Sequence, residues 1–137
     1  MRSLTSIKLL FFATGILFAL AGCEKKFEEN KDTYEIMVGE TFTINLGENL
    51  STGYSNCWIN KLKAGSISLI RSEHFRKGSY DCNGCGGTTV YTFKGIAEGI
   101  DTIIMANLPA IRDQKDCSAY PEDSVRIDKK FIITVKK

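Results

Sequence analysis

Thr41-Phe42-Thr43-Ile44-Asn45-Leu46 sets apolar Phe42, Ile44 and Leu46 between polar neighbours, a two-residue period that gives a β-strand one buried and one wet face. The same alternation returns near the end of the chain, where Lys130 to Val135 carries Phe131, Ile133 and Val135. Between these two runs, short stretches rich in Ile, Val, Thr, Phe and Tyr are broken by Gly, Asn and Asp at intervals too short for helical layers. Tyr34 to Val38, Trp58 to Leu62, Ser66 to Ile70, Thr88 to Ile96 and Ile100 to Ala106 complete a set of about seven predicted strands. No window after the N-terminal segment holds a 3.6-residue apolar stripe for three turns, which argues against helical and doubly wound α/β domains. The fold class predicted is all-β.

Seven strands in roughly 100 residues is what an immunoglobulin-like β-sandwich needs. The chain has 137 residues, 43% hydrophobic and 25% charged, a globular rather than a disordered composition. Two of the 18 basic residues, Arg2 and Lys8, and none of the 16 acidic ones fall in the first 22 positions, so the remaining body is formally neutral. A neutral body has no surplus of cations for a phosphate backbone, so no nucleic-acid partner is expected. It is long enough for one core, from residue 34 to residue 137, and a monomer is expected. The stretch from Asn107 to Asp128 is the longest without strand pattern and is a candidate contact loop.

Arg2 and Lys8 precede the uncharged Leu9 to Gly22, 14 residues where a membrane-spanning helix needs roughly 20. This is the pattern of a signal-peptide core. It ends in Leu20-Ala21-Gly22-Cys23, which resembles the bacterial lipobox, and the resemblance implies cleavage after residue 22 and lipid on Cys23. Several acyl chains would anchor the protein stably without crossing the bilayer. Residues 23–33 carry mixed charge and almost no apolar surface, so a solvated tether is expected. Glu24 rather than Asp after Cys23, with the charged run behind it, resembles an outer-membrane or surface address of bacterial lipoproteins, so a lipid anchor in the cell envelope, periplasmic or surface-facing, is expected.

Catalytic motifs are missing. There is no G-x-S-x-G, H-E-x-x-H, P-loop or strand-to-helix G-x-G-x-x-G, and the one histidine, His74, has no nucleophile signature beside it and reads as an ordinary strand or loop residue. No enzyme activity, cofactor or metal is expected. Cys57, Cys82, Cys85 and Cys117 are an even number in an exported chain, which makes disulfides the default, with three possible pairings. Two alternatives stand beside this: redox chemistry at Cys82-Asn83-Gly84-Cys85, or a Cys₄ zinc site. A reactive C-x-x-C normally opens a helix, whereas here Gly86-Gly87 leads into a strand. Zinc usually shows two such pairs.

Three segments together resemble the chagasin-type inhibitors of papain-like cysteine peptidases. Val38 to Leu46, running into Glu48-Asn49-Leu50-Ser51-Thr52-Gly53-Tyr54, is similar to the family's leading strand and its N-P-T-T-G-Y loop, with Leu50 and Ser51 at the second and third positions. Gly84-Cys85-Gly86-Gly87 and the aromatic strand after it are similar to the G-x-G-G loop. Where the family has Arg-Pro-Trp, this chain has Asn107-Leu108-Pro109-Ala110-Ile111-Arg112 and no tryptophan, and Ser55-Asn56-Cys57 lengthens the stretch before Trp58. The resemblance implies an immunoglobulin-like sandwich that inhibits reversibly by inserting three loops from one end into the peptidase cleft. The contact residues would be Asn49 to Tyr54, then Gly84, Gly86 and Gly87, then Asn107, Leu108, Pro109 and Arg112. Thr52-Gly53 would lie against the catalytic cysteine, and the four body cysteines could tie the loops to each other. The rival is a surface immunoglobulin-like module that binds another protein or a glycan.

Overall fold

The structure, a computed structural model, describes residues 26–78, 82, 84–109, 117, 120 and 125–137. Seven strands are present: β1 (Thr33–Met37), β2 (Thr41–Glu48), β3 (Tyr54–Trp58), β4 (Ile67–Arg76), β5 (Gly87–Gly95), β6 (Gly99–Pro109) and β7 (Ile127–Lys136). They form a four-stranded sheet in the order β1-β7-β6-β3 and a three-stranded sheet in the order β2-β5-β4. The fold is an all-β, immunoglobulin-like sandwich. All pairings are antiparallel except β1 with β7.

Period-two patterning builds the core. Phe42, Ile44 and Leu46 of β2 point inward with Tyr91 and Phe93 of β5, and meet Ile103 and Met105 of β6 and Phe131, Ile133 and Val135 of β7. Phe93 is fully buried, stacked on Phe42 at 5.4 Å and met edge-on by Trp58 at 5.3 Å between ring centroids. Burying each such side chain contributes roughly 1.5–3 kcal/mol. β6 is buried on both faces, because Ile104, Ala106 and Leu108 pack outward into a second cluster with Ile59, Cys57, Tyr120 and Val125. Tyr120 and Val125, which follow β6 in the chain, therefore lie over the outside of that sheet.

β3, β4 and β6 depart from the sequence pattern, each for a local reason, and β7 starts three residues early, so Ile127 and Asp128 of the expected contact loop are strand, as are Asn107 to Pro109. The run expected at Trp58 to Leu62 is strand only up to Trp58, and Lys61–Lys63 is a 3-10 turn with Leu62 79% exposed. The cause is Asn60, whose side chain replaces the backbone ladder. Its Oδ1 accepts from Trp58 Nε1 at 2.8 Å and from Ile104 N at 2.9 Å, and its Nδ2 donates to Thr102 O at 2.7 Å. β4 continues six residues past Ile70 because a bulge between Leu69 and Arg71 shifts its register, so the alternation breaks while pairing goes on. β6 reaches Pro109 by pairing Asn107, Leu108 and Pro109 with Asn56, Ser55 and Tyr54.

The charged segment ahead of β1 is mostly exposed, but Phe27 and Asn30 are half-buried against the sandwich. Among the described residues, no helix is long and apolar enough to cross a membrane. The first 25 residues, Cys23 included, lie outside them.

Candidate functional site

Strand direction gathers the loops. β2, β4 and β6 end, and β3, β5 and β7 begin, at one end of the sandwich, so loop 1 (residues 49–53), loop 2 (residues 77–86) and loop 3 (residues 110–126) all belong to it. Of loop 3, only Cys117, Tyr120, Val125 and Arg126 are described, and Arg112 lies outside the described residues.

Loop 1 is a capped 3-10 turn. Asn49 Oδ1 accepts from Ser51 N at 3.2 Å and from Ser51 Oγ at 2.7 Å, and the Asn49 carbonyl accepts from Thr52 N at 3.1 Å and Thr52 Oγ1 at 2.7 Å. Gly53 closes the turn at φ +76°, in the left-handed region where any side chain is strained. Thr52 and Gly53 are exposed at the tip, flanked by Leu50 and Tyr54, which are 52% and 48% exposed. Asn49 also crosses to the second loop, its Nδ2 donating to Gly84 O at 3.1 Å.

Loop 2 closes where Lys77 N donates to Gly86 O at 3.0 Å, and a disulfide joins Cys82 to Cys85 inside it. A second disulfide joins Cys57 of β3 to Cys117, 60 residues on. Each bridge therefore fixes one loop, and neither ties two loops together. Both pairs are consumed, so no Cys₄ thiolate set is left for zinc. Cys85 is followed by β5 rather than by a helix whose dipole would activate a thiol.

Two of the predicted contact residues have internal duties. Gly87 is the first residue of β5, and a Cβ there would run into the Phe75 carbonyl and the His74 ring. Its missing side chain lets β4 and β5 close. Leu108 is 6% exposed and packs in the second cluster, while its neighbours Asn107 and Pro109 face solvent.

Beneath the loops lies a polar relay that sequence reasoning missed. Glu48, the last residue of β2, has a side chain only 5% exposed, and its Oε1 accepts from the backbone N of Asn56 on β3 at 2.6 Å. Its Oε2 accepts from Thr89 Oγ1 on β5, which leaves the Thr89 oxygen to accept from His74 Nδ1 on β4 at 2.9 Å. Asn56 Nδ2 donates to Gly47 O at 3.1 Å, and Tyr91 OH donates to Asn56 O at 3.0 Å. Burial first, and the Glu48 carboxylate second, push the Tyr91 phenol well above its usual range, so it stays a donor. One carboxylate thus joins four strands and both sheets at the base of loop 1. No local motif marks it, since its partners lie 8 to 41 residues away along the chain.

The cleft between loops 1 and 2, lined by Asn49, Ser51, His74, Arg76, Lys77 and Cys85 among others, has a volume of about 60 Å³. Pockets for small molecules run to several hundred Å³. So small a cleft between two cross-tied loops does not suit enclosure of a ligand.

The fold is an immunoglobulin-like sandwich with a capped loop 1 at one end. The chain belongs to the chagasin family, whose model, described as chagasin family peptidase inhibitor I42, matches residues 35–117. No curated protein sequence matches significantly. Two solved structures are similar in fold. The crystal structure of the cysteine protease inhibitor EhICP2 from Entamoeba histolytica aligns at TM-score 0.52 and 17% identity, over 76% of this chain and 86% of that one. The solution structure of amebosin aligns at TM-score 0.52 and 21% identity, over 76% of this chain and 88% of that one.

Proposed function

We propose that this chain is a reversible inhibitor of papain-like cysteine peptidases that inserts loops 1, 2 and 3 into the active-site cleft, and that it is not an enzyme. The observation that carries this reading is the bond from Asn49 to the Gly84 carbonyl, which holds loop 1 against loop 2 while Thr52 and Gly53 stay exposed. Thiolate attack needs the scissile carbonyl in a near-attack geometry. Thr52-Gly53, held by the Asn49 cap and the Glu48 relay, occupies the cleft without relaxing into that geometry, so it blocks turnover uncut. Ordering a loop side chain on binding costs roughly 0.5–1.5 kcal/mol, and a preorganised loop avoids that cost. Lipid on Cys23 anchors the inhibitor to the envelope at the outer membrane.

The test is a titration of papain with the chain carrying Cys23→Ser. Activity falls at sub-micromolar inhibitor, and Thr52→Trp, which leaves the Gly53 backbone intact, weakens inhibition by at least a hundredfold. Full papain activity at micromolar inhibitor contradicts the reading, and unchanged potency in Thr52→Trp moves the contact away from loop 1.

A further inference from the structure

The N-terminal arm, residues 26–32, crosses the three-stranded sheet from the edge of β2 to β4, close to the loop end. β1 runs parallel to β7, with Thr33 opposite Ile132 and Met37 opposite Lys136, and β7 starts at the loop end. The chain ahead of Thr33 therefore points back towards the loops. Two sets of contacts fix its path. The Asn30 side chain acts as a one-residue strand on the open edge of β2, its Oδ1 accepting from Asn45 N at 2.8 Å and its Nδ2 donating to Asn45 O at 2.6 Å. Asn45 Nδ2 returns a bond to Glu28 O at 2.8 Å. Further on, the Phe27 ring meets the Phe75 ring at 5.4 Å. Phe75 pairs with Thr88 and Thr88 with Gly47, the row next to the Arg76, Gly87 and Glu48 row from which loops 1 and 2 spring.

Three residues lie between Cys23 and Phe27, four Cα steps or at most about 14 Å of extended chain. We propose that the docked arm is a strap that turns the loop end towards the membrane holding Cys23, shielding the loops until the arm is released. This rests on the lipid anchor and the inhibitory loops proposed above. A globular enzyme of a couple of hundred residues is roughly 40 Å across, so it cannot enter a gap of that size. With the arm undocked, the ten residues between Cys23 and Tyr34 reach about 35 Å, enough for the sandwich to turn its loops outward. Hydrogen bonds at Glu28, Asn30, Lys31 and Asp32 and the ring pair of Phe27 with Phe75 oppose the entropy of seven ordered residues, so the strap can open. The anchored inhibitor is held in reserve, and arm release sets the rate at which it meets a peptidase.

The experiment uses the full lipidated chain in phosphatidylethanolamine–phosphatidylglycerol vesicles, with a donor dye on Leu50→Cys and acceptor dye on the lipid headgroups. Energy transfer is expected to be strong with the natural arm and to fall at least twofold with Phe27→Ala and Asn30→Ala combined. On vesicles without dye, the same two substitutions raise the papain association rate about tenfold, towards that of the unlipidated Cys23→Ser chain, where they change nothing. Equal or absent transfer in both arms overturns the strap, as does a mature chain whose mass shows no lipid on Cys23. If the unlipidated chain fails to inhibit papain, the inhibitor reading falls, while energy transfer still decides the strap.

Discussion

At the end away from the loops, two buried or capping side chains close the sandwich from within the core. Asn60 bonds Trp58, Thr102 and Ile104, and the Asp101 carboxylate caps Ser66 N at 2.6 Å and Ile67 N at 3.1 Å. At the loop end, closure falls to one charged relay through Glu48, to the Asn49 cap and to two disulfides. The far end is continuous with the core, so disturbing it disturbs folding. The loop end is fastened by discrete devices above the core, so each can be removed with more effect on binding than on the fold.

The largest effect should come from the staple on loop 3. Cys57→Ser with Cys117→Ser frees a 60-residue separation and covers the second cluster less well, costing about 4 kcal/mol in the chain-entropy view, read from urea melts. Removing Cys82–Cys85, three residues apart, should cost under about 2 kcal/mol. Equal losses would show that loop 3 stands without its staple. Asn60→Ala comes next, leaving the Trp58, Ile104 and Thr102 groups unpaired in the interior for about 3 kcal/mol, with inhibition of papain by the folded protein unchanged. A matching drop in potency would erase the distinction between the two ends.

Glu48→Gln sharpens the comparison from the other side. Glutamine cannot accept from both Asn56 N and Thr89 Oγ1, so loop 1 loosens, and potency should fall about tenfold, or 1.4 kcal/mol, with a smaller loss of stability. The smallest effect is that of Tyr91→Phe, about 1 kcal/mol at neutral pH for the bond to Asn56 O. Its pH dependence has a definite sign. The folded phenol titrates above the unfolded value of about 10, so its contribution is whole below pH 10 and drains away as pH rises beyond it. Melts of Tyr91→Phe should lack that alkaline loss.

Much of this was legible in one sequence because β2, β5 and β7 obey a strict two-residue period, and because Asn49 to Tyr54 and Gly84 to Gly87 are contiguous motifs. Seven strands were expected and seven are present, in two sheets. What escaped was set by side chains that stand in for backbone. Asn60 ends a strand where Leu62 extends the apolar pattern, and Asn30 docks part of a segment whose charge marks it as a tether. Glu48, His74 and Thr89 sit on three strands brought together only by sheet register, and the bulge after Leu69 hid the half of β4 that carries His74. Gly87 matched a loop motif and Leu108 stood where another would lie without matching it, yet packing against His74 and in the second cluster accounts for both.

Hydrogen exchange of the Cys23→Ser chain, alone and bound to papain, tests the functional end most directly. Slowed exchange is expected at residues 49–54, 84–87 and 107–117, with no change at the opposite turns, residues 38–40, 59–66 and 96–98. Protection at those opposite turns with the loops unchanged would contradict the assignment of the inhibitory edge.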